Sequence, residues 1–138
     1  MSQANYSSQR YLETAVLTAS PEQLVVMMYE EAIRHLKQAI TQIDCNDFEG
    51  KRRSINLALG IIHYLQNSLD MNRGQDIAVE LRRIYKYVSS KVVEGSIQLK
   101  TAPLEESVRL LSTLLESWRE VAAQRQKQAH SIATTMVG

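Results

Sequence analysis

A single cysteine, Cys45, stands in the 138 residues. One thiol builds neither a disulfide framework nor a cysteine-based zinc site within one chain, and such sparing use fits a reducing, cytoplasmic setting. The net charge is only +1, too little for a general field towards nucleic acid or an anionic membrane. No apolar run approaches the ~18 residues that a membrane span needs, and no N-terminal run has the charged start and apolar middle of a signal peptide. Metal chemistry lacks its parts. A di-iron bundle needs Glu-x-x-His on two helices, and that motif is absent. Glu31 and His35 stand four apart without a partner set, and His63 and His130 are isolated, so each histidine reads as solvated or core. No Gly-rich phosphate loop occurs, and Cys45 has no histidine near it in sequence to act as a base. An enzyme, a metal and a cofactor are therefore not expected.

Two prolines remain, and both mark helix starts. In Thr18-Ala19-Ser20-Pro21-Glu22-Gln23-Leu24, Ser20 is a good N-cap and Pro21 suits the first helical position. Gln23 can reach back to the Ser20 N–H as a capping box. Thr101-Ala102-Pro103-Leu104-Glu105-Glu106 repeats that logic. No stretch alternates like a strand. Apolar residues instead recur at three- and four-residue steps. Leu24, Val25, Met28, Tyr29, Ala32, Ile33, Leu36, Ala39, Ile40 and Ile43 carry a first helix over 21–43. Ile55, Ala58, Ile62, Leu65 and Leu69 carry a second over 49–71. Ile77, Leu81, Ile84, Tyr85, Val88 and Val92 carry a third over 75–94, and Leu104, Val108, Leu111, Leu115, Trp118 and Ala122 a fourth over 102–126.

Long amphipathic helices with short connections predict an all-α fold, an antiparallel four-helix bundle over residues 11–126. An apolar arm or short helix (Tyr11, Leu12, Ala15, Val16, Leu17) should pack on it. Residues 1–10 are expected to be a mobile tail and 127–138 a frayed one. Asn72-Arg73-Gly74 should close the second helix, with Gly74 free to take positive φ. Gly60 reads as a close helix–helix approach, and Gly95 as ending or weakening the third helix, with Ile97 and Leu99 in the connection. Arg82, Arg83 and Lys86 form a small basic face. The helices are too long and too apolar for a helix-turn-helix, so that face reads as solvated surface.

One face of each helix suffices for a four-helix core, yet two helices carry more. Val26 and Met27 are surplus on the first helix, and Leu57, Ile61 and Tyr64 form a second stripe on the second. The arm, a second copy in a homodimer, or an amphipathic helix of another protein could cover them. The thioethers of Met27 and Met28 suit the last, because flexible chains adapt to varied partners.

The ordered set of these features resembles the flagellar secretion chaperone FliS family. The matching residues are Thr18 to Leu24 with Met28-Tyr29, Ala58, Ile61-Ile62, Leu65, Ser68-Leu69-Asp70, Gly74, Ile77-Ala78, Leu81, Tyr85, Tyr87, Leu104 to Val108 and Trp118. Late in the third helix the chain departs from the family's Ala-Asn pair with Glu94-Gly95. The resemblance implies a cytosolic, non-enzymatic chaperone that binds the disordered C-terminal segment of flagellin, prevents its polymerisation and presents it to the flagellar type III export gate. Segments of that kind fold as they bind. The flagellin-binding residues implied are Tyr6, Tyr11 and Leu12 of the arm, with Val26, Met27, Leu57, Ile61 and Tyr64 of the groove. Tyr11 best matches the family's aromatic arm position by its spacing to Ser20-Pro21, and Tyr6 is second. Ser20, Pro21, Leu24, Tyr29, Leu81, Tyr85 and Trp118 read as structural. A homo-oligomeric bundle with a structural or regulatory role is the alternative.

Overall fold

The computed structural model describes residues 3–137, with side chains placed from 9 to 136. Five helices and no strand occur among the described residues: α1 Gln3–Thr18, α2 Pro21–Asp44, α3 Phe48–Asn67, α4 Met71–Gln98 and α5 Ala102–Val137. The chain is all-α, and it divides into two compact units. Residues up to Met27 and those from Ser117 onwards form one, and Met28–Glu116 forms the other.

In the first unit the start of α2 is fixed by local chemistry. The Ser20 N–H donates to Gln23 Oε1 at 2.9 Å, and the Gln23 N–H donates to Ser20 Oγ at 3.2 Å. This reciprocal pair satisfies two backbone donors that a helix start would otherwise leave open. Glu22 lies in the same turn, where negative charge meets the positive end of the helix, and its Oε1 accepts from Arg125 Nη1 at 3.3 Å. Leu24, Val25, Val26 and Met27 are all half-buried. In α1, Thr14 and Thr18 each donate a hydroxyl to the carbonyl four residues earlier.

The Met28–Glu116 unit holds the larger core. Tyr29 and Leu36 of α2, Ile62 of α3, Tyr85, Val88 and Val92 of α4, and Leu104 and Leu111 of α5 are essentially sealed from solvent. Their three- and four-residue spacing brings one ridge of each helix inwards. Polar contacts fix the packing. Ser54 Oγ donates to Gln42 Oε1 at 2.7 Å between α3 and α2. Lys51 Nζ donates to the Ser96 carbonyl at 3.2 Å between α3 and α4. Tyr87 Oη donates to Glu106 Oε1 at 2.5 Å between α4 and α5. That carboxylate holds the Tyr87 hydroxyl above the ordinary tyrosine range, while Glu94 raises the neighbouring Lys91 ammonium.

Several elements differ from the expectation. Residues 3–10 belong to α1, because nothing between Gln3 and Thr18 breaks a helix. Helix α3 stops at Asn67 rather than near residue 71, since Asp70 begins the next one. Its carboxylate accepts from the Asn72 and Arg73 N–H groups, both at 3.1 Å. Helix α4 therefore starts four residues early and must bend. The bend falls on Gln75, at φ 43° and ψ −120°, and Gly74 does not take positive φ. A non-glycine residue there stores strain of roughly 1–3 kcal/mol.

Gly60 and Gly95 also differ from the expectation. A Cβ built on Gly60 would meet nothing within 4 Å, so Gly60 marks no close approach. Gly95 does: a Cβ there would sit 2.8 Å from the Lys100 carbonyl and 3.0 Å from Leu104 Cγ. Gly95 lies within α4, which continues through Ile97 to a left-handed cap at Leu99, φ 55°. Helix α5 continues to Val137, well past residue 126.

Candidate partner-binding site

Helix α3 has two apolar faces. Ile55, Ala58, Ile62 and Leu65 face the core. Leu57, Gly60, Ile61 and Tyr64 lie along a second ridge at three- and four-residue steps. Leu57 is 54% exposed and Tyr64 62% exposed, an unusual amount for residues of this size standing together. With Met28 of α2 and Asn56 they line an open groove of about 430 Å³. The groove surface is almost wholly apolar, formed by the hydrocarbon of Leu57 and Ile61, the Met28 thioether and the Tyr64 ring, with Gly60 adding no side chain.

Of the expected site residues, the structure brings Leu57, Ile61 and Tyr64 together in this groove. Val26 and Met27 belong to the other unit and are half-buried. So do Tyr11 and Leu12, which are exposed on α1. Leu12 lines a second, shallow apolar groove with Val16 and Leu17. The side chain of Tyr6 lies outside the described residues. Asn56 and Gly60 were missed. The spacing of Gly60 between Leu57 and Tyr64 was the available signal, but a glycine inside an apolar pattern reads more readily as a packing device. Among the residues assigned structural roles, Tyr29, Leu81 and Tyr85 are buried, and Leu24 and Trp118 half-buried.

The groove offers a partner chiefly apolar area. Its polar side-chain atoms are confined to the Asn56 amide and the Tyr64 hydroxyl. Among the described residues there is no cluster of three potential metal ligands, and no helix is long and apolar enough to cross a membrane. Covering the exposed parts of Leu57 and Tyr64 would contribute roughly 1–2 kcal/mol each.

The family model described as flagellar protein FliS matches residues 3–125. The chain belongs to the FliS family. It is 30% identical to the flagellar secretion chaperone FliS of Salmonella typhimurium, over 80% of this chain and 83% of that one. It is 30% identical to the flagellar secretion chaperone FliSB of Pseudomonas aeruginosa, over 78% of this chain and 85% of that one. The FliS of Bacillus subtilis is 25% identical over 87% and 89% of the two chains. FliS proteins are flagellar secretion chaperones, not enzymes.

Proposed function

We propose that this chain is a cytosolic export chaperone for flagellin. The α3 groove takes an apolar helical stretch of the flagellin C-terminal region, which is disordered before binding. Occupying that region keeps it from the contacts that build a filament. The loaded chaperone then hands its cargo to the flagellar export gate. The observation that carries this reading is the exposed Leu57–Tyr64 ridge beside Met28 in a member of the flagellar secretion chaperone family. An antiparallel four-helix arrangement over residues 21–126 suits this role, because side-by-side helices leave grooves along their length. Tyr11 and Leu12 of α1, with Val26 and Met27 of α2, supply separate contacts for a segment that engages the chaperone in several pieces.

Binding of this kind couples folding to association. Adding a synthetic flagellin C-terminal segment to the purified chain should raise total helicity by circular dichroism beyond the sum of the two components. The signal should saturate at a fixed ratio of segment to chaperone. An additive spectrum with no detectable binding would refute the proposal.

A further inference from the structure

The outward face of α4 carries a second surface that the flagellin reading does not use. Val79, Arg82, Lys86, Ser90, Val93 and Ile97 follow one another at steps of three and four, so they form one stripe on the side opposite the buried Leu81, Tyr85, Val88 and Val92. The stripe is about 27 Å long at the helical rise. Every residue in it is exposed, including Val79 at 45%, Val93 at 41% and Ile97 at 76%.

Its charges are uncompensated. Arg82 and Lys86 stand at i and i+4, where like charges destabilise a helix. Neither forms an ion pair with any described residue. Two of the three carboxylates on α4 are engaged elsewhere, Glu80 with Arg83 at 3.2 Å and Glu94 with Lys91 at 3.2 Å. The third, Asp76, pairs with neither Arg82 nor Lys86 and stands six residues before Arg82. The helix thus keeps a repulsive basic pair between exposed aliphatic groups and leaves both without a counterpart.

We infer that this stripe docks a helical segment of another protein that has carboxylates set among aliphatic side chains. Such a segment supplies what Arg82 and Lys86 lack and covers Val79, Val93 and Ile97 at the same time. Two cations among branched aliphatics favour a protein over a nucleic acid, which needs a larger basic field, and over a membrane surface, which favours bulkier anchors such as Trp, Phe and Leu.

The test uses the full chain and a fluorescent synthetic helical peptide of about 18 residues, matching the stripe, with Leu and Glu on one face. Control peptides replace every Glu with Gln or with Lys. The Glu peptide should bind, and added salt should weaken it. The Gln peptide, and the Arg82→Glu/Lys86→Glu chain with the Glu peptide, should each bind on the order of tenfold more weakly. The Lys peptide should prefer the doubly substituted chain.

Arg82→Glu alone converts a repulsive pair into a Glu-to-Lys pair in the favoured orientation, so its Tm should rise by about 1–4 °C. That rise shows that any loss of binding is not unfolding. Equal binding of the Glu and Gln peptides, unchanged binding by the doubly substituted chain, or a fall in Tm for Arg82→Glu would overturn the inference. So would binding of phosphatidylglycerol vesicles or of a DNA duplex, abolished by the double substitution, without binding of the Glu peptide.

Discussion

The hydroxyls of Tyr29 and Tyr85 lie 2.5 Å apart, joining α2 to α4 between residues 56 positions apart in sequence. Both side chains are buried, and their rings are 6.3 Å apart between centroids. A buried hydroxyl left without a partner costs more than the bond itself contributes. Tyr29→Phe takes away the partner of the buried Tyr85 hydroxyl and should therefore destabilise the chain by about 1–3 kcal/mol, and Tyr85→Phe breaks the same bond from the other side. The double Phe variant should lose much less than the sum of the two. Urea unfolding of the four chains completes the cycle, and additive losses would show that the two hydroxyls act independently.

The same pair sets an alkaline limit. Burial, with Tyr29 beside it, pushes the Tyr85 hydroxyl well above its ordinary value of 10.0. In the unfolded chain that hydroxyl ionises near its ordinary value, so above about pH 10 the unfolded state binds fewer protons than the folded one, and stability falls as pH rises. Below pH 10 this contribution is fully present. Tyr85→Phe should flatten the decline in Tm between pH 9 and about pH 11, a range the linkage relation makes informative. An unchanged slope would remove Tyr85 from the account.

Gly60 and Gly95 should respond to alanine with opposite signs. Gly60 lies inside α3 with open space around it, so Gly60→Ala should raise stability by about 0.5–1 kcal/mol through helix propensity. Gly95→Ala drives a methyl against the Lys100 carbonyl and Leu104 and should cost about 1–3 kcal/mol. Thermal melts of both variants read this directly. Because Gly60 lines the groove, the alanine variant should also bind a partner segment more weakly while being more stable.

These contrasts show where the chain is legible. The Ser20–Gln23 box depends on residues three apart, and sequence alone places it. The core ridges of α2 to α5 follow from apolar spacing in the same way. The start of α4 is hidden in the sequence because Leu65 and Leu69 prolong the pattern of α3 and Gly74 looks like a stop. Asp70 competes as a cap, and its two hydrogen bonds win. Whether a glycine faces a neighbour or a groove depends on what lies across from it. Neither the emptiness beside Gly60 nor the carbonyl beside Gly95 is written in local sequence. The surplus stripe Leu57–Ile61–Tyr64 was visible from period alone, whereas the Tyr29–Tyr85 contact needed the tertiary fold.

The most direct test of the central claim is the affinity of the flagellin C-terminal segment for Leu57→Asp and Tyr64→Asp beside the unaltered chain. Both side chains are exposed, so the variants should keep their helicity and melt near the original temperature. Each should bind the segment on the order of tenfold or more weakly, equivalent to about 1.4 kcal/mol or more of lost apolar contact. Unchanged affinity in both folded variants would contradict the assignment of the α3 groove as the flagellin site.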